Sequence, residues 1–256
     1  MIPEDEIRTL AERLDSAQTS RTDTPSLANS HTIGTDDAYA VQAALLERRV
    51  ARGERINGVK LGFTSKAKMA QMGVSDVIVG RLTDGMRIAD GDDVDLARFI
   101  HPKAEPEVAY RIARDVDLDD PLTDIEACVD AVAPALEIID SRYRDFRFTY
   151  TDVVADNTSA AGYAIGAWRP VRSVSNRAVR LRTPESETVG STAAILGDPV
   201  HALHALLDMC RRRRIPLRAG EVVLAGAATA AAPLTPGVTE CDVAGLGTVT
   251  VKGVLR

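Results

Sequence analysis

Residues 101–110 read HPKAEPEVAY, and this stretch decides how the rest of the chain is taken. Apolar and polar residues alternate through it. Val108, Tyr110 and the following Ile112 therefore share one face of a strand, and Glu105, Glu107 and Ala109 share the other. Such a strand sets two carboxylates side by side, where each raises the other's pKa. Two readings stand at this point: a solvated strand face, or a divalent cation held between oxygen ligands. Pro106, in the middle, predicts an edge strand or a bulge.

Upstream, RINGVKLGF (55–63) alternates as well, with Val59, Leu61 and Phe63 opposed to Lys60 and Gly62. Ser65 is placed to cap a short helix, KAKMAQM, that Gly73 ends. Two helices are predicted before these strands. EDEIRTLAERLDSA puts Ile7, Leu10, Ala11 and Leu14 on one stripe, and TDDAYAVQAALLERRVARG has Thr35 as N-cap and Gly53 as stop. A polar linker from Gln18 to Ser30 joins them. Downstream, DIEACVDAVA reads as a helix behind Thr123, broken by Pro134 before the strand-like ALEIID. The last third is mostly β. Asp198 and Pro199 open a helix over VHALHALLDMCRRRR, and strands follow in GEVVLAGA, VTECDV and TVTVKGV, parted by PLTPG and AGLG turns. No repeat, GxGxxG or P-loop motif or strand–helix alternation is present, so the expected class is α+β with helices outside a β core. One domain is expected over residues 1–256, with 1–55 as a helical N-terminal region and 56–256 as the β core.

Composition narrows the function. A net charge of −6 and a pI near 5.3 argue against a nucleic-acid partner, which needs a basic face. The one basic block, Arg211–Arg214, closes a predicted helix, where cations suit the macrodipole. Cys128, Cys210 and Cys241 are odd in number and far apart, which suggests neither a zinc site nor a disulfide framework. The acidic start MIPEDEIRTL does not read as a signal peptide, and no apolar stretch approaches the ~20 residues that span a bilayer. The expectation is a cytoplasmic protein with no membrane partner.

Five motifs, in order, carry a resemblance. GVKLGFTSKAKMAQMG, HPKAEPEVAY, ALEIIDSRYRDF, DVVADNTSAAGYAIG and GEVVLAGAATAAAPLTPG together resemble the fumarylacetoacetate hydrolase superfamily, in its hydratase and decarboxylase branch. The likeness runs from Tyr39 to the end. It implies a mixed β-sheet roll with outer helices and a divalent metal, Mg²⁺ or Mn²⁺, on three carboxylates: Glu105, Glu107 and Glu137. Lys60 matches the lysine of the GxKxG motif, and the resemblance implies a catalytic role for it in stabilising enolate charge or moving a proton. Ser65 and Lys66 are candidate carboxylate binders, although Ser65 equally suits a helix cap. Asp156, Asn157 and Ser159 match ADNxS, with substrate or metal-water contacts and a turn-shaping role both open. Gly226 and Thr229 fall in the substrate loop, where Ala227 stands in place of a second glycine of close relatives. Arg142 and Arg144 are candidates for the distal carboxylate, with an Arg142–Asp140 pair as the structural alternative.

Within the branch, GVSDVIVGRLTDGM (73–86) puts Ile78 where hydratases carry an acid, which resembles the decarboxylases. The implied reaction is decarboxylation of 2-oxohex-3-enedioate, a 2-oxo dicarboxylate of aromatic meta-cleavage catabolism, to 2-hydroxypenta-2,4-dienoate and CO₂. The alternatives are the hydratase acting on that dienoate, an acylpyruvate-type hydrolase, and a catalytically silent metal-binding partner subunit. The hydrolase needs a His/Glu base. His201 and His204 read as packing residues on their helix, His101 lies near the ligand strand, and whether His31 belongs to a lid stays open. The resemblance further implies a homo-oligomer, associated with the pathway's hydratase or decarboxylase.

Overall fold

In the computed structural model, which describes residues 2–65, 69–70, 73–74 and 76–255, two helices open the chain: α1 (Glu4–Ser20) and α2 (Thr35–Ala51). Leu10, Ala11 and Leu14 are buried along the predicted stripe of α1. Gly34, not Thr35, is the N-cap of α2, and its N–H donates to the Asp37 carboxylate at 3.0 Å. The linker is shorter than expected. α1 runs on to Ser20, and Leu27–Asn29 forms a 3₁₀ turn tied by its Leu27 N–H to the buried Asp152 at 2.9 Å.

The strands are β1 (Ile56–Gly62), β2 (Ile78–Thr83), β3 (Arg87–Ile88), β4 (Asp93–Asp95), β5 (Lys103–Ile112), β6 (Val129–Ile139), β7 (Ala160–Ile165), β8 (Arg169–Pro170), β9 (Ala178–Arg182), β10 (Glu187–Ser191), β11 (Val222–Ala227), β12 (Ala232–Pro233), β13 (Gly237–Val243) and β14 (Gly247–Val254). Helix α3 (Tyr150–Ala155) precedes β7, and α4 (Pro199–Arg213) precedes β11. One sheet runs β2-β1-β11-β5-β6-β7-β3, with β12 added to β5 and β8 to β6; the other runs β10-β9-β13-β14-β4. The expected α+β class holds, with helices on mixed sheets.

Val59, Leu61, Val108, Tyr110 and Ile112 of the first sheet share the largest apolar cluster with Val179, Leu181, Val249 and Val251 of the second and Leu203 and Leu206 of α4. A second cluster joins Leu10, Leu14, Val41 and Leu45 of the N-terminal helices to Ile78, Tyr143 and Val153. Cys128, Cys210 and Cys241 are all free and buried.

Three sequence expectations are corrected. DIEACVDAVA is not a helix: after a 3₁₀ turn at Glu126–Cys128, strand β6 runs straight through Pro134. The missing N–H costs little there, because Pro134 faces the gap between β7 and β8, and its carbonyl accepts the Gly166 N–H at 2.9 Å. Strand pairing on both sides of β6 outweighs the helix propensity of its alanines. Pro106 does not mark an edge either, since β5 lies between β11 and β6. The bulge is in its neighbour β11, whose register slips between Leu224↔Ala109 and Ala227↔Glu107. Phe63, finally, leaves the face of Val59 and Leu61. Its φ of 57° turns the chain past the end of β1, and its ring stacks on Tyr150 at 6.1 Å. The helix predicted over KAKMAQM lies mostly outside the described residues.

Candidate metal centre and active site

The centre is built by register. Glu105 on β5 pairs directly with Glu137 on β6, and Glu107 lies two residues along β5 on the same face. Each of the three offers a carboxylate oxygen within 4.8 Å of the others, and all three side chains are buried. Lys60 reaches in from β1, its Nζ 3.0 Å from Glu137 Oε2 and 3.1 Å from the Thr158 carbonyl. The β11 bulge turns the Gly226 N–H onto Glu107 Oε2 at 2.8 Å. Gly226 has φ 115°, and a Cβ there would stand 2.1 Å from Thr64 Oγ1, so only glycine lets this strand approach.

Three buried carboxylates crowd one another around the Lys60 ammonium. Glu107 Oε1 and Glu137 Oε1 also accept no hydrogen bond among the described residues. Burial raises the Glu107 carboxyl well above its ordinary value, and the charge of Glu137 adds to this. Burial pushes Glu137 up to about 7 against the pull of Lys60. For Lys60, burial alone would lower the pKa, but the surrounding glutamates outweigh it and hold the ammonium above its usual value. Orphaned buried oxygens are what a hard divalent cation satisfies, and an all-oxygen donor set fits one.

A cavity of about 400 Å³ opens beside the centre, bordered by Lys60, Thr64, Ser65, Glu105, Ala227 and Thr229. A smaller chamber of about 90 Å³ also borders Lys60 and Glu105, walled by Ile78, Ile139, Phe146 and Phe148. Ser65 and Thr229 both line the larger cavity, the Thr229 hydroxyl donating to the Ala230 carbonyl at 2.9 Å. Lys66 lies outside the described residues. Ser159 borders the smaller chamber.

Four other sequence candidates line neither cavity. Arg142 is buried and spends its guanidinium on the Asp156 carboxylate and carbonyl, on Asp140 O at 2.9 Å and on Ala160 O at 3.1 Å. Its carboxylate partner is Asp156, not Asp140, whose oxygens accept the Ile100 and His101 N–H groups at 2.8 Å each. Burial pushes Asp156 up to about 6, even with Arg142 drawing it down. Asn157 locks onto the main chain of Arg81, accepting its N–H at 2.8 Å and donating to its carbonyl at 2.9 Å. Arg142, Asp156 and Asn157 border neither cavity. Arg144 is exposed and pairs with Asp23 at 2.9 Å.

The histidines stand apart from the carboxylates. His101 Nε2 is 2.7 Å from Ser141 O, and His31 Nδ1 is 2.8 Å from Ser30 Oγ. His201 and His204 are exposed, not packed; His204 meets Glu126 at 2.9 Å. Sequence reasoning missed the Thr158 carbonyl and the Thr64 hydroxyl. The first acts through backbone at the unspecified position of ADNxS, so no side-chain signal exists for it. The second borders the larger cavity and packs against Gly226, a long-range contact that no local motif announces.

No family model matches the chain. A 4-oxalocrotonate decarboxylase of Pseudomonas sp is 45% identical over 249 residues, spanning 95% of this chain and 96% of that protein. A 2-keto-4-pentenoate hydratase of Paraburkholderia xenovorans (strain LB400) is 36% identical over 227 residues, 85% of this chain and 83% of that one. Among solved structures, the 4-oxalocrotonate decarboxylase from Pseudomonas putida G7, complexed with magnesium and adipate, matches with a TM-score of 0.92 and 32% identity over 99% of both chains.

Proposed function

The chain belongs to the family of 4-oxalocrotonate decarboxylases and 2-keto-4-pentenoate hydratases, and on that footing we propose that it is a divalent-metal-dependent carboxy-lyase. It converts 2-oxohex-3-enedioate to 2-hydroxypenta-2,4-dienoate and CO₂. The observation that carries this reading is the buried group of Glu105, Glu107 and Glu137 with Lys60, set against an apolar wall that includes Ile78. The 45% identity to a decarboxylase supports it, as does adipate, a dicarboxylate of the same chain length, in the Pseudomonas putida G7 enzyme.

Glu105, Glu107 and Glu137 would hold Mg²⁺ or Mn²⁺. Bound there, the ion supplies a Lewis acid for the 2-oxo acid end of the substrate. Lys60, fixed between Glu137 and the Thr158 carbonyl, sets an ammonium against the keto oxygen, where negative charge develops as the distal carboxylate leaves. The electron pair of the breaking C–C bond passes through the alkene to that oxygen, and a proton delivered there gives the 2-hydroxy product. Ser65 and Thr229, at the mouth of the larger cavity, are positioned to receive a carboxylate. Ile78, Ile139, Phe146 and Phe148 keep water from the carbanion-like intermediate, which a hydratase would need to admit.

The reading carries with it a cytoplasmic homo-oligomer working beside the hydratase of the same route. No helix among the described residues is long and apolar enough to cross a membrane.

A paired assay tests the function. Release of CO₂ from 2-oxohex-3-enedioate that EDTA abolishes, with 2-hydroxypenta-2,4-dienoate left untouched, is the expected result. Loss of the diene without CO₂ makes the protein a hydratase, and silence in both arms leaves a metal-binding subunit. Lys60→Ala is expected to lower turnover by about 10²–10³-fold, the scale of losing one charge-stabilising donor, while Mg²⁺ still binds. Lost metal binding with intact single-turnover chemistry would refute that role for Lys60.

A further inference from the structure

Lys60 has two fixed partners, and they differ in kind. Glu137 belongs to the candidate metal group, so its charge is shared; the Thr158 carbonyl, 3.1 Å from Nζ, serves as a guide of direction. That carbonyl points at Lys60 because Asn157, Thr158 and Ser159 are all left-handed, with φ of 46°, 53° and 60°. Three successive non-glycine residues in this region are rare, and the β-branched Thr158 is a true outlier.

Such a backbone persists only when its surroundings hold it, and the holding groups are on β2. Asn157 grips both main-chain atoms of Arg81, as a neighbouring strand would. The preceding Gly80 leaves room for the turn, since a Cβ there would stand 2.2 Å from Thr158 Oγ1 and 2.8 Å from the Asn157 carbonyl. Gly80 is itself paired with Lys60 across β1 and β2, so the grip lies one residue along from the lysine. Asn157 borders neither cavity and has no direct route to a substrate.

We propose that Asn157 is a positioning residue for Lys60: it holds the left-handed turn whose Thr158 carbonyl fixes Nζ over the centre. The proposal rests on the role given to Lys60 above.

A double-mutant cycle separates the two. Asn157→Ala, Lys60→Ala and the double variant are assayed for Mg²⁺-dependent CO₂ release, with Mg²⁺ affinity and melting temperature recorded for each. Asn157→Ala lowers kcat by about 10- to 100-fold, as misplacing a catalytic group by about 1 Å does. KM and Mg²⁺ affinity stay near wild type. In the Lys60→Ala background the same substitution brings no further loss, a non-additivity that a general structural role does not produce. Equal losses in both backgrounds overturn the proposal and leave the role of Lys60 standing. Wild-type turnover by Lys60→Ala removes that role, and the proposal with it. Should Asn157→Ala fail to fold, Asn157→Asp keeps an acceptor for the Arg81 N–H and replaces the donor to the Arg81 carbonyl with a carboxylate oxygen. A partial loss of kcat that vanishes beside Lys60→Ala then supports the proposal, and one that persists overturns it.

Discussion

Glu137 has no exposed surface, and burial pushes its carboxyl up to about 7, so a cation must displace a proton to use it. Mg²⁺ binding is therefore expected to tighten as pH rises through about 7, with more protons released per ion at pH 6 than at pH 8. Calorimetry in buffers of different ionisation enthalpy reads that release directly. The same raised value acts on stability in the opposite sense. Between the ordinary 4.5 and about 7, the metal-free folded chain keeps a proton that the unfolded chain has lost. Unfolding is then favoured increasingly as pH rises through that window, and the effect levels off above it. Melting temperatures in EDTA should fall from pH 5 to pH 7; a rise would sink this account. Of these groups, the Glu105–Glu107 pair was legible as two carboxylates on one strand face. Glu137 was legible only through its motif, because its register opposite Glu105 is a long-range fact.

Strand elements were legible wherever alternation was undisturbed. The side chains of β5 sort as the period of two requires, Val108, Tyr110 and Ile112 to the main cluster and Ala109 to the opposite face. A slip of one residue would exchange the glutamates for those core residues, so burial on the Val108 face helps to hold the centre in place. What failed was the reading of prolines. Pro106 and Pro134 both sit in central strands, each excused by an irregularity in the neighbouring strands that no local signal announces. The start of α4 was read correctly because a cap is local chemistry: Asp198 accepts the Val200 N–H at 3.1 Å, with Pro199 at the first position. Asp198→Ala is expected to cost about 1 kcal/mol of stability, seen as a lower midpoint in urea. CO₂ release should be unchanged, since α4 does not border the cavity; a loss of turnover as large as that of Lys60→Ala would contradict the map of the site.

For the molecule as a whole, the expected boundary near residue 55 does not divide the packing. The cluster that covers α1 and α2 is completed by Ile78, Tyr143, Val153 and Val154, and Asp152 accepts from Ser26, Leu27 and Thr149. We propose accordingly that the chain is one cooperative unit, although the N-terminal helices and the sheets are distinct in sequence. Urea unfolding followed by Trp168 fluorescence and by far-ultraviolet circular dichroism should give coincident transitions. An early loss of helical signal would separate the arm from the core. The buried cysteines bear on how such experiments can be done. Burial pushes the Cys210 and Cys241 thiols up to about 12, and Cys128 is only 3% exposed. The Cys210 and Cys241 thiols therefore stay protonated at neutral pH, and an alkylating reagent reaches any of the three buried positions only as fast as the core opens. A cysteine introduced at a solvent-facing site such as Leu122, 87% exposed, would take a fluorophore or spin label with no native thiol removed first.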